Sequence, residues 1–219
     1  MIADTTAIRS AFPALERREA GHPVAYFDAP GGTQVPRTVA DAISNHLLAH
    51  NANAGWAFPT SVETACVVAA ARATAADFVG GDRLGVVFGG SMTALTFQFA
   101  EAFGRTLRAG DEIVVTRLDH RANVDPWKAV AADHGVTVRV VPFDAADAGL
   151  DWAALEAAVG AHTRLVAVTA AANAVGTIND VRRAAEIARA RGALSFVDAV
   201  HSAAHVRTDM HAWGCDVLV

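Results

Sequence analysis

The 219-residue chain is 53% hydrophobic and 19% charged, with a formal net charge of -5 at pH 7. This composition excludes a disordered protein, and the mild acidity gives no reason to expect nucleic acid or an anionic membrane as a partner. No stretch approaches the ~20 consecutive apolar residues of a membrane span, and the N-terminus lacks the apolar core of a signal peptide. We therefore expect a cytoplasmic protein.

Runs rich in β-branched residues alternate with alanine-rich stretches along the chain. The β-branched runs predict strands at Leu84–Phe88, Glu112–Thr116, Val136–Val141, Arg164–Val168, Leu194–Val197 and from Asp216 onward. The alanine-rich stretches predict helices at Val39–His50, Val62–Val79, Met92–Arg108, Asn123–Asp133, Asp151–Val159 and Val181–Arg191.

Alternation of this kind predicts an α/β fold, a three-layer sandwich in which a mostly parallel sheet is covered by helices on both faces. The first 30 residues resemble an arm, so we place one domain over residues 31–219. Parallel sheets bind ligands beyond the carboxyl ends of their strands. The residues that follow each strand are therefore the candidates for a functional site.

A glycine-rich turn follows the first predicted strand and leads directly into a helix. It consists of Gly89, Gly90, Ser91, Met92 and Thr93. Free N–H groups at a helix N-terminus, together with a hydroxyl group, can hold a phosphate. The alternative is a tight turn in which Ser91 caps the helix, and the glycines alone favour that alternative.

Three further polar side chains follow other predicted strands. His120 could stack on a flat ring and exchange protons, or be an ordinary loop histidine. Asn173 could donate to a ligand oxygen, or satisfy its own turn. Asp198 ends a buried strand and needs a partner, which could be a protonated ring nitrogen, a helix N-terminus or an arginine. The placement of all these candidates after four strands of one sheet predicts a single cleft.

His201 and His205 stand four residues apart, as metal-binding histidines on helices do. No glutamate lies between them in the pattern of a zinc hydrolase, so a metal hydrolase is a minor alternative and we predict no metal site. Cys66 and Cys215 also lack metal-ligand spacing, and we predict that both are buried thiols in a reducing compartment.

Several segments carry a resemblance to the class V aminotransferase family, fold-type I enzymes that use pyridoxal 5′-phosphate, and within it to a cysteine-desulfurase-like subfamily. They occur in the family's order and cover nearly the whole chain. These segments are YFDAPGGTQVP (26–36), NANAG (51–55), SMTALTF (91–97), LDHRANVDPW (118–127), NAVGT (173–177) and VDAVH (197–201).

The resemblance implies roles for the residues that bind the cofactor. The phosphate would be held by Gly90, Ser91 and Met92. His120 would stack on the pyridine ring and is the catalytic residue that this chain contains. Asp198 would pair with the protonated ring nitrogen.

Two further cofactor contacts and the substrate side are implied in the same way. Asn173 would donate to the phenolic oxygen of the ring, and His201 lies where relatives place a glutamine near that oxygen. Asn51 and Asn53 lie where the family places substrate-side loop residues. Arg121 stands where relatives tend to have aspartate or histidine, so its role stays open.

The family's Schiff-base lysine follows the strand that begins at Asp216, and the printed sequence has a single lysine, Lys128. Lys128 is predicted to lie on a solvated helix face. We therefore expect an incomplete large domain without the C-terminal small domain, from a homodimeric parent enzyme that acts on an amino acid, and a fragment with little activity. The alternative is a non-catalytic α/β module that binds a cofactor or a nucleotide.

Overall fold

The computed structural model describes residues 4–27 and 31–219. Contacts divide the chain into two compact units, residues 1–71 and 72–219. The division predicted from the sequence, an arm to residue 30 and a domain from residue 31, stays a prediction. Part of the segment 26–36 that carries the family resemblance lies outside the described residues.

The first unit is mainly helical. Helix α1 spans Thr5–Ser10, a two-residue hairpin joins β1 (Arg18–Glu19) to β2 (His22–Pro23), and α2 spans Arg37–Asn45. A wider helical turn over His46–His50 follows α2, so the predicted helix at Val39–His50 is confirmed with a change of winding. Helix α3 runs over Pro59–Val79 and crosses the boundary between the units.

The second unit is built on a parallel five-stranded sheet. Its strands are β3 (Glu112–Thr116), β4 (Thr137–Val141), β5 (Thr163–Thr169), β6 (Leu194–Asp198) and β7 (Val217–Leu218), in the spatial order β4-β3-β5-β6-β7. Every pair of neighbouring strands is parallel. This confirms the predicted sheet and the predicted strands from Glu112 onward.

Helices cover both faces of this sheet, which confirms the three-layer prediction. The helices of the second unit are α4 (Met92–Gly104), α5 (Asp125–His134), α6 (Trp152–Ala158), α7 (Val181–Arg189) and α8 (Met210–Trp213). Alternate strand residues point to opposite faces, so Ile113 packs in the layer of α4 and α5 while Val114 packs in the layer of α6 and α7. Both residues are fully buried.

The predicted strand at Leu84–Phe88 is wrong. The segment forms no strand, and Leu84 and Val87 are 87% and 68% exposed. An apolar run indicates a tendency to be buried, but a strand also needs a neighbour with which to share backbone hydrogen bonds. No other strand in residues 4–27 and 31–219 pairs with this segment.

The prediction of two buried thiols is half wrong. Cys215 is buried in the core layer that also contains Val197, whereas Cys66 is exposed on α3. Alanine and valine surround Cys66 in the sequence on every side of the helix, so the pattern does not tell which face is covered. No helix in the described part of the chain is long and apolar enough to cross a membrane.

Candidate functional site

Asp198 is the last residue of β6 and lies at the carboxyl edge of the sheet, next to the central strand β5. Its residue is 5% exposed. Oδ1 accepts a hydrogen bond from the Val200 N–H at 3.0 Å. Within the described part of the chain Oδ2 accepts no hydrogen bond, so this oxygen is available to a donor on a ligand.

The charges around Asp198 come from two histidines. Burial raises the pKa of Asp198 above its ordinary value, while the Val200 N–H and then the positive charges of His120 and His201 lower it. The fold therefore brings together three of the residues chosen from the sequence, although they are more than 75 positions apart at the extremes. The prediction that the strand ends form one ligand-binding cleft stays a prediction.

Asp119 lies near Asp198 as well, although no pattern in the sequence points to it. Its Oδ2 accepts a hydrogen bond from Thr116 Oγ1 at 2.5 Å, and its Oδ1 accepts one from Asn123 Nδ2 at 2.8 Å. Burial, together with the negative charge of Asp198, raises the pKa of Asp119 to about 7, although these two hydrogen bonds lower it. The negative charge of Asp198 therefore disfavours the ionisation of Asp119 at this edge.

His120 lies between β3 and α5 at the start of a short 3₁₀ turn, and its side chain is exposed. Its Nδ1 accepts a hydrogen bond from the Ala122 N–H at 3.2 Å. A neutral imidazole that accepts at Nδ1 carries its proton on Nε2. The ring can therefore present Nε2–H and its open face to a ligand.

The glycine-rich turn precedes α4 as predicted. Ser91 Oγ accepts a hydrogen bond from the Ala94 N–H at 3.2 Å, so Ser91 is the N-cap of the helix, as the alternative interpretation has it. The N–H groups of Met92 and Thr93 have no backbone acceptor within the described residues. A β-carbon at Gly89 would lie 2.6 Å from Leu95 Cδ2, whereas Gly90 faces open space. The turn thus combines a glycine packed closely against Leu95 with backbone N–H groups that have no backbone acceptor in the described part of the chain.

Asn173 lies at the tip of a loop between β5 and α7. The loop begins where the Ala170 N–H donates to the Asp198 backbone oxygen at 2.8 Å, and it is closed by Gly176, whose φ is +76° and whose N–H donates to the Ala172 oxygen. The Asn173 side chain is exposed and has no hydrogen-bond partner within the described residues, so it does not satisfy its own turn. Asn179, which was not selected, fixes the base of this loop by donating to the Thr169 oxygen at 2.8 Å.

Asn51 and Asn53 lie in the first unit, in an exposed segment that follows the wide helical turn. Thr64 Oγ1 on α3 donates to the His50 backbone oxygen at 3.3 Å, and His50 Nδ1 pairs with Glu63 Oε2 at 2.6 Å. These contacts attach the start of the segment to α3. The substrate role of the two asparagines stays a prediction.

The histidine pair lies just beyond β6. The rings of His201 and His205 are 5.3 Å apart between centroids, with His201 half-buried and His205 exposed. In the ranges that the structure describes, no group of three or more histidine, cysteine, aspartate or glutamate side chains could hold a metal ion. The metal-hydrolase alternative therefore finds no third ligand here.

Two basic residues of the His120 region have simple surroundings. Arg121, whose role the sequence leaves open, pairs through Nε with Asp125 Oδ2 at 2.9 Å on the surface. Lys128 is exposed on α5, as predicted, and lines an open cavity of about 490 Å³ together with Asp119 and Val140.

These side chains lie at the carboxyl edge of a parallel sheet, where α/β proteins bind their ligands. Comparison with known proteins makes the class specific. The family model described as aminotransferase class-V matches residues 25–219. The chain belongs to the class V aminotransferase family.

Named relatives agree with this family. A cysteine desulfurase from Pectobacterium atrosepticum is 33% identical over 215 residues, which is 97% of this chain and 53% of that protein. The apo structure of a cysteine desulfurase from Thermococcus onnurineus NA1 superposes with a TM-score of 0.90 at 26% identity, over 100% of this chain and 53% of that one. The chain therefore spans about half the length of these relatives.

A further solved structure supports the fold alone. The cysteine desulfurase CsdA from Escherichia coli, in its S-sulfonic acid form, has a TM-score of 0.86 at 24% identity, covering 100% of this chain and 54% of that one. The agreement in fold extends over all five parallel strands.

The raised pKa of Asp119 predicts a specific pH dependence of stability. A carboxyl with a folded pKa of about 7 and an unfolded value of 3.8 binds its proton more tightly in the folded chain. Its contribution to stability is complete below pH 3.8 and is lost as the pH rises through 7. We expect Asp119→Asn to gain stability over the unaltered chain between pH 5 and 7, by about 1 kcal/mol per pH unit.

Urea unfolding at pH 5, 6 and 7 measures this difference. Asp125→Asn is the matched control, because Asp125 pairs with an exposed arginine on the surface. Its stability difference from the unaltered chain should stay constant over the same range. Parallel curves for Asp119→Asn and the unaltered chain would show that Asp119 ionises normally.

Proposed function

We propose that this chain is the cofactor-binding part of a pyridoxal 5′-phosphate enzyme that acts on an amino acid, of the cysteine desulfurase or aminotransferase type. The observation that carries the proposal is Asp198, a buried carboxyl at the end of a central strand that has an oxygen free for a ligand. The family and the names of its relatives support the choice of cofactor.

The residues fit this cofactor at each of its chemical groups. A carboxylate in a buried position forms a charge-assisted hydrogen bond with a protonated ring nitrogen, and this role falls to Asp198. The flat, exposed imidazole of His120 suits the face of a ring. The free N–H groups after Ser91 suit a phosphate, because the N-terminus of a 13-residue helix attracts anions. Asn173 has an unpaired amide for a ring oxygen.

When it is bound, the cofactor supplies an electron sink for the pair released as a bond to the substrate Cα breaks. Asp198 keeps the proton on the ring nitrogen, because withdrawing that proton would leave a buried carboxylate without a cation. His120 covers one ring face and limits the access of water there. His201 lies near Asp198 and would act at the same end of the site, with its charge stabilising the carboxylate.

We also propose that Asn51 and Asn53 bind the substrate. Amide side chains in an exposed segment can bind a substrate carboxylate by donating hydrogen bonds. The contacts of His50 and Thr64 support this assignment, since an attached segment loses less entropy when it binds a ligand.

Binding of pyridoxine 5′-phosphate tests the cofactor site, because this compound lacks the aldehyde and needs no lysine. We expect Asp198→Asn to weaken its binding about tenfold or more at pH 7, since the variant replaces a charge-assisted hydrogen bond with a neutral one. Isothermal titration calorimetry gives the affinity.

Asp180→Asn is the matched control for this experiment. Asp180 caps α7 by accepting from the Arg183 N–H at 3.0 Å, and asparagine caps helices equally well. Its affinity should equal that of the unaltered chain. Tight binding of an adenine nucleotide with none of pyridoxine 5′-phosphate would favour the alternative of a nucleotide-binding module and contradict our proposal.

We further propose that these 219 residues have little or no activity by themselves. Lys128 is the single lysine of the sequence, and it lies exposed on α5 after Trp127 rather than at the end of a strand. Covalent catalysis with this cofactor requires a lysine amine at the reacting carbon.

Absorbance spectroscopy with added pyridoxal 5′-phosphate tests the inactivity. We expect the same spectrum from the unaltered chain and from Lys128→Arg, and no sulfur release from cysteine in either. A covalent absorbance band and turnover that both disappear in Lys128→Arg would show that Lys128 serves the chemistry.

We propose that the full-length parent is a homodimer in the cytoplasm. Large apolar side chains of the first unit support an interface, since Leu48 and Trp56 are 85% and 69% exposed. Both cysteines are free thiols, which supports a reducing compartment. Light scattering of the full-length parent should give twice the mass of one chain, and Leu48→Asp should shift it towards the monomer. A monomeric parent would contradict the proposal.

A further inference from the structure

One carboxyl group, that of Asp119, links the two ends of the loop that carries His120. Both oxygens of Asp119 act as acceptors, one for Thr116 at the end of β3 and the other for Asn123 just before α5. The Asn123 backbone N–H also donates to the His120 oxygen at 2.8 Å. Asp119 therefore joins the two ends of the loop on either side of His120.

The far end of this connection is anchored in the core. Trp127 Nε1 donates to Asn123 Oδ1 at 3.3 Å, and the Trp127 side chain is completely buried. Its ring packs edge-on against Phe196 of β6, with centroids 4.9 Å apart. The hydrogen bonds thus run from β3 through Asp119 to the aromatic core.

A carboxyl group suits this position because both of its neighbours are donors. The Thr116 hydroxyl oxygen already accepts from the Leu118 N–H at 3.2 Å, which leaves its O–H to donate to Asp119. Asn123 uses its carbonyl for Trp127, so its NH₂ group also must donate. An alanine at position 119 would leave both donors without acceptors in a half-buried place, which is unfavourable.

We propose that Asp119 is a positioning residue for the cofactor site. It holds the His120 imidazole in the place and the tautomer that stacking on the cofactor's pyridine ring requires. This inference rests on the proposed function. Asp119 would act on the cofactor through His120 and not by direct contact. The raised pKa of Asp119 agrees with a carboxyl kept here for its hydrogen bonds, because burial at this edge opposes its charge.

The test measures His120 directly in the ligand-free 219-residue chain. With ¹⁵N-labelled histidine, ring nitrogen shifts report the tautomer, and the His120 signals are assigned by their loss in His120→Gln. We expect Nε2–H with an accepting Nδ1 in the unaltered chain and a mixture of tautomers in Asp119→Ala. Asp119→Asn should retain the single tautomer, because its amide can accept from Asn123 and donate to a reoriented Thr116 hydroxyl.

Affinity for pyridoxine 5′-phosphate is the second readout. We expect a loss of about tenfold in Asp119→Ala, near the cost of leaving a buried donor unpaired, and less than about threefold in Asp119→Asn. Asp125→Ala is the control. It removes a carboxylate of the same region, but one that pairs with the exposed Arg121 on the surface. It should leave both the tautomer and the affinity unchanged.

Thr116→Val provides a second route if Asp119→Ala fails to fold. It removes the hydroxyl donor with little change of shape and should also mix the tautomers of His120. A single Nε2–H tautomer and unaltered affinity in the variants that fold, Asp119→Ala or Thr116→Val, would overturn the inference. Failure of the unaltered chain to bind pyridoxine 5′-phosphate would instead contradict the proposed function, and the nitrogen shifts would still decide whether Asp119 positions His120.

Discussion

The placement of two carboxyl groups, Asp119 and Asp198, at one edge of an apolar sheet is the constraint on which the candidate site depends. Each is held where burial opposes its charge, and each is oriented by hydrogen bonds from nearby groups. Buried carboxyls are stable only with donors or cations around them. The loops after β3 and β6 supply those donors, so their local structure follows from this requirement.

The aromatic core of the second unit is connected to the loop that holds Asp119. Trp127 makes this connection, because its indole N–H donates to Asn123 while its ring packs on Phe196 and Phe99. Phe196 is two residues before Asp198 on the same strand. The same aromatic cluster therefore contacts the loop that holds Asp119 and the strand that ends at Asp198.

The sequence predicts those parts of the fold in which burial and pairing coincide. The strand at Glu112–Thr116 was placed with its correct bounds, because a parallel strand covered on both faces is apolar along its whole length. The same signal fails at Leu84–Phe88, which is apolar but unpaired within the described residues. Periodicity is equally uninformative about Cys66, since the apolar residues of α3 are not concentrated on one face.

The candidate site divides in the same way. His120 and Asp198 could be chosen from the sequence because they follow strands and carry distinctive chemistry. Asp119 could not be chosen in this way, because its role depends on Thr116 and Asn123 both donating to it. They do so because the Thr116 hydroxyl oxygen accepts from Leu118 and the Asn123 carbonyl accepts from Trp127. Such hydrogen-bond arrangements follow from side-chain geometry and leave no repeating pattern in a sequence.

The paired carboxyls also give the edge a preference for cations. Burial is the main cause of the raised pKa of Asp119, about 7, and the negative charge of Asp198 contributes to it. A protonated ring nitrogen at Asp198 would offset one charge and allow the second carboxyl to ionise. A neutral donor would also bind Asp198 Oδ2, but a cationic donor would bind more strongly, because a charge-assisted hydrogen bond is stronger than a neutral one.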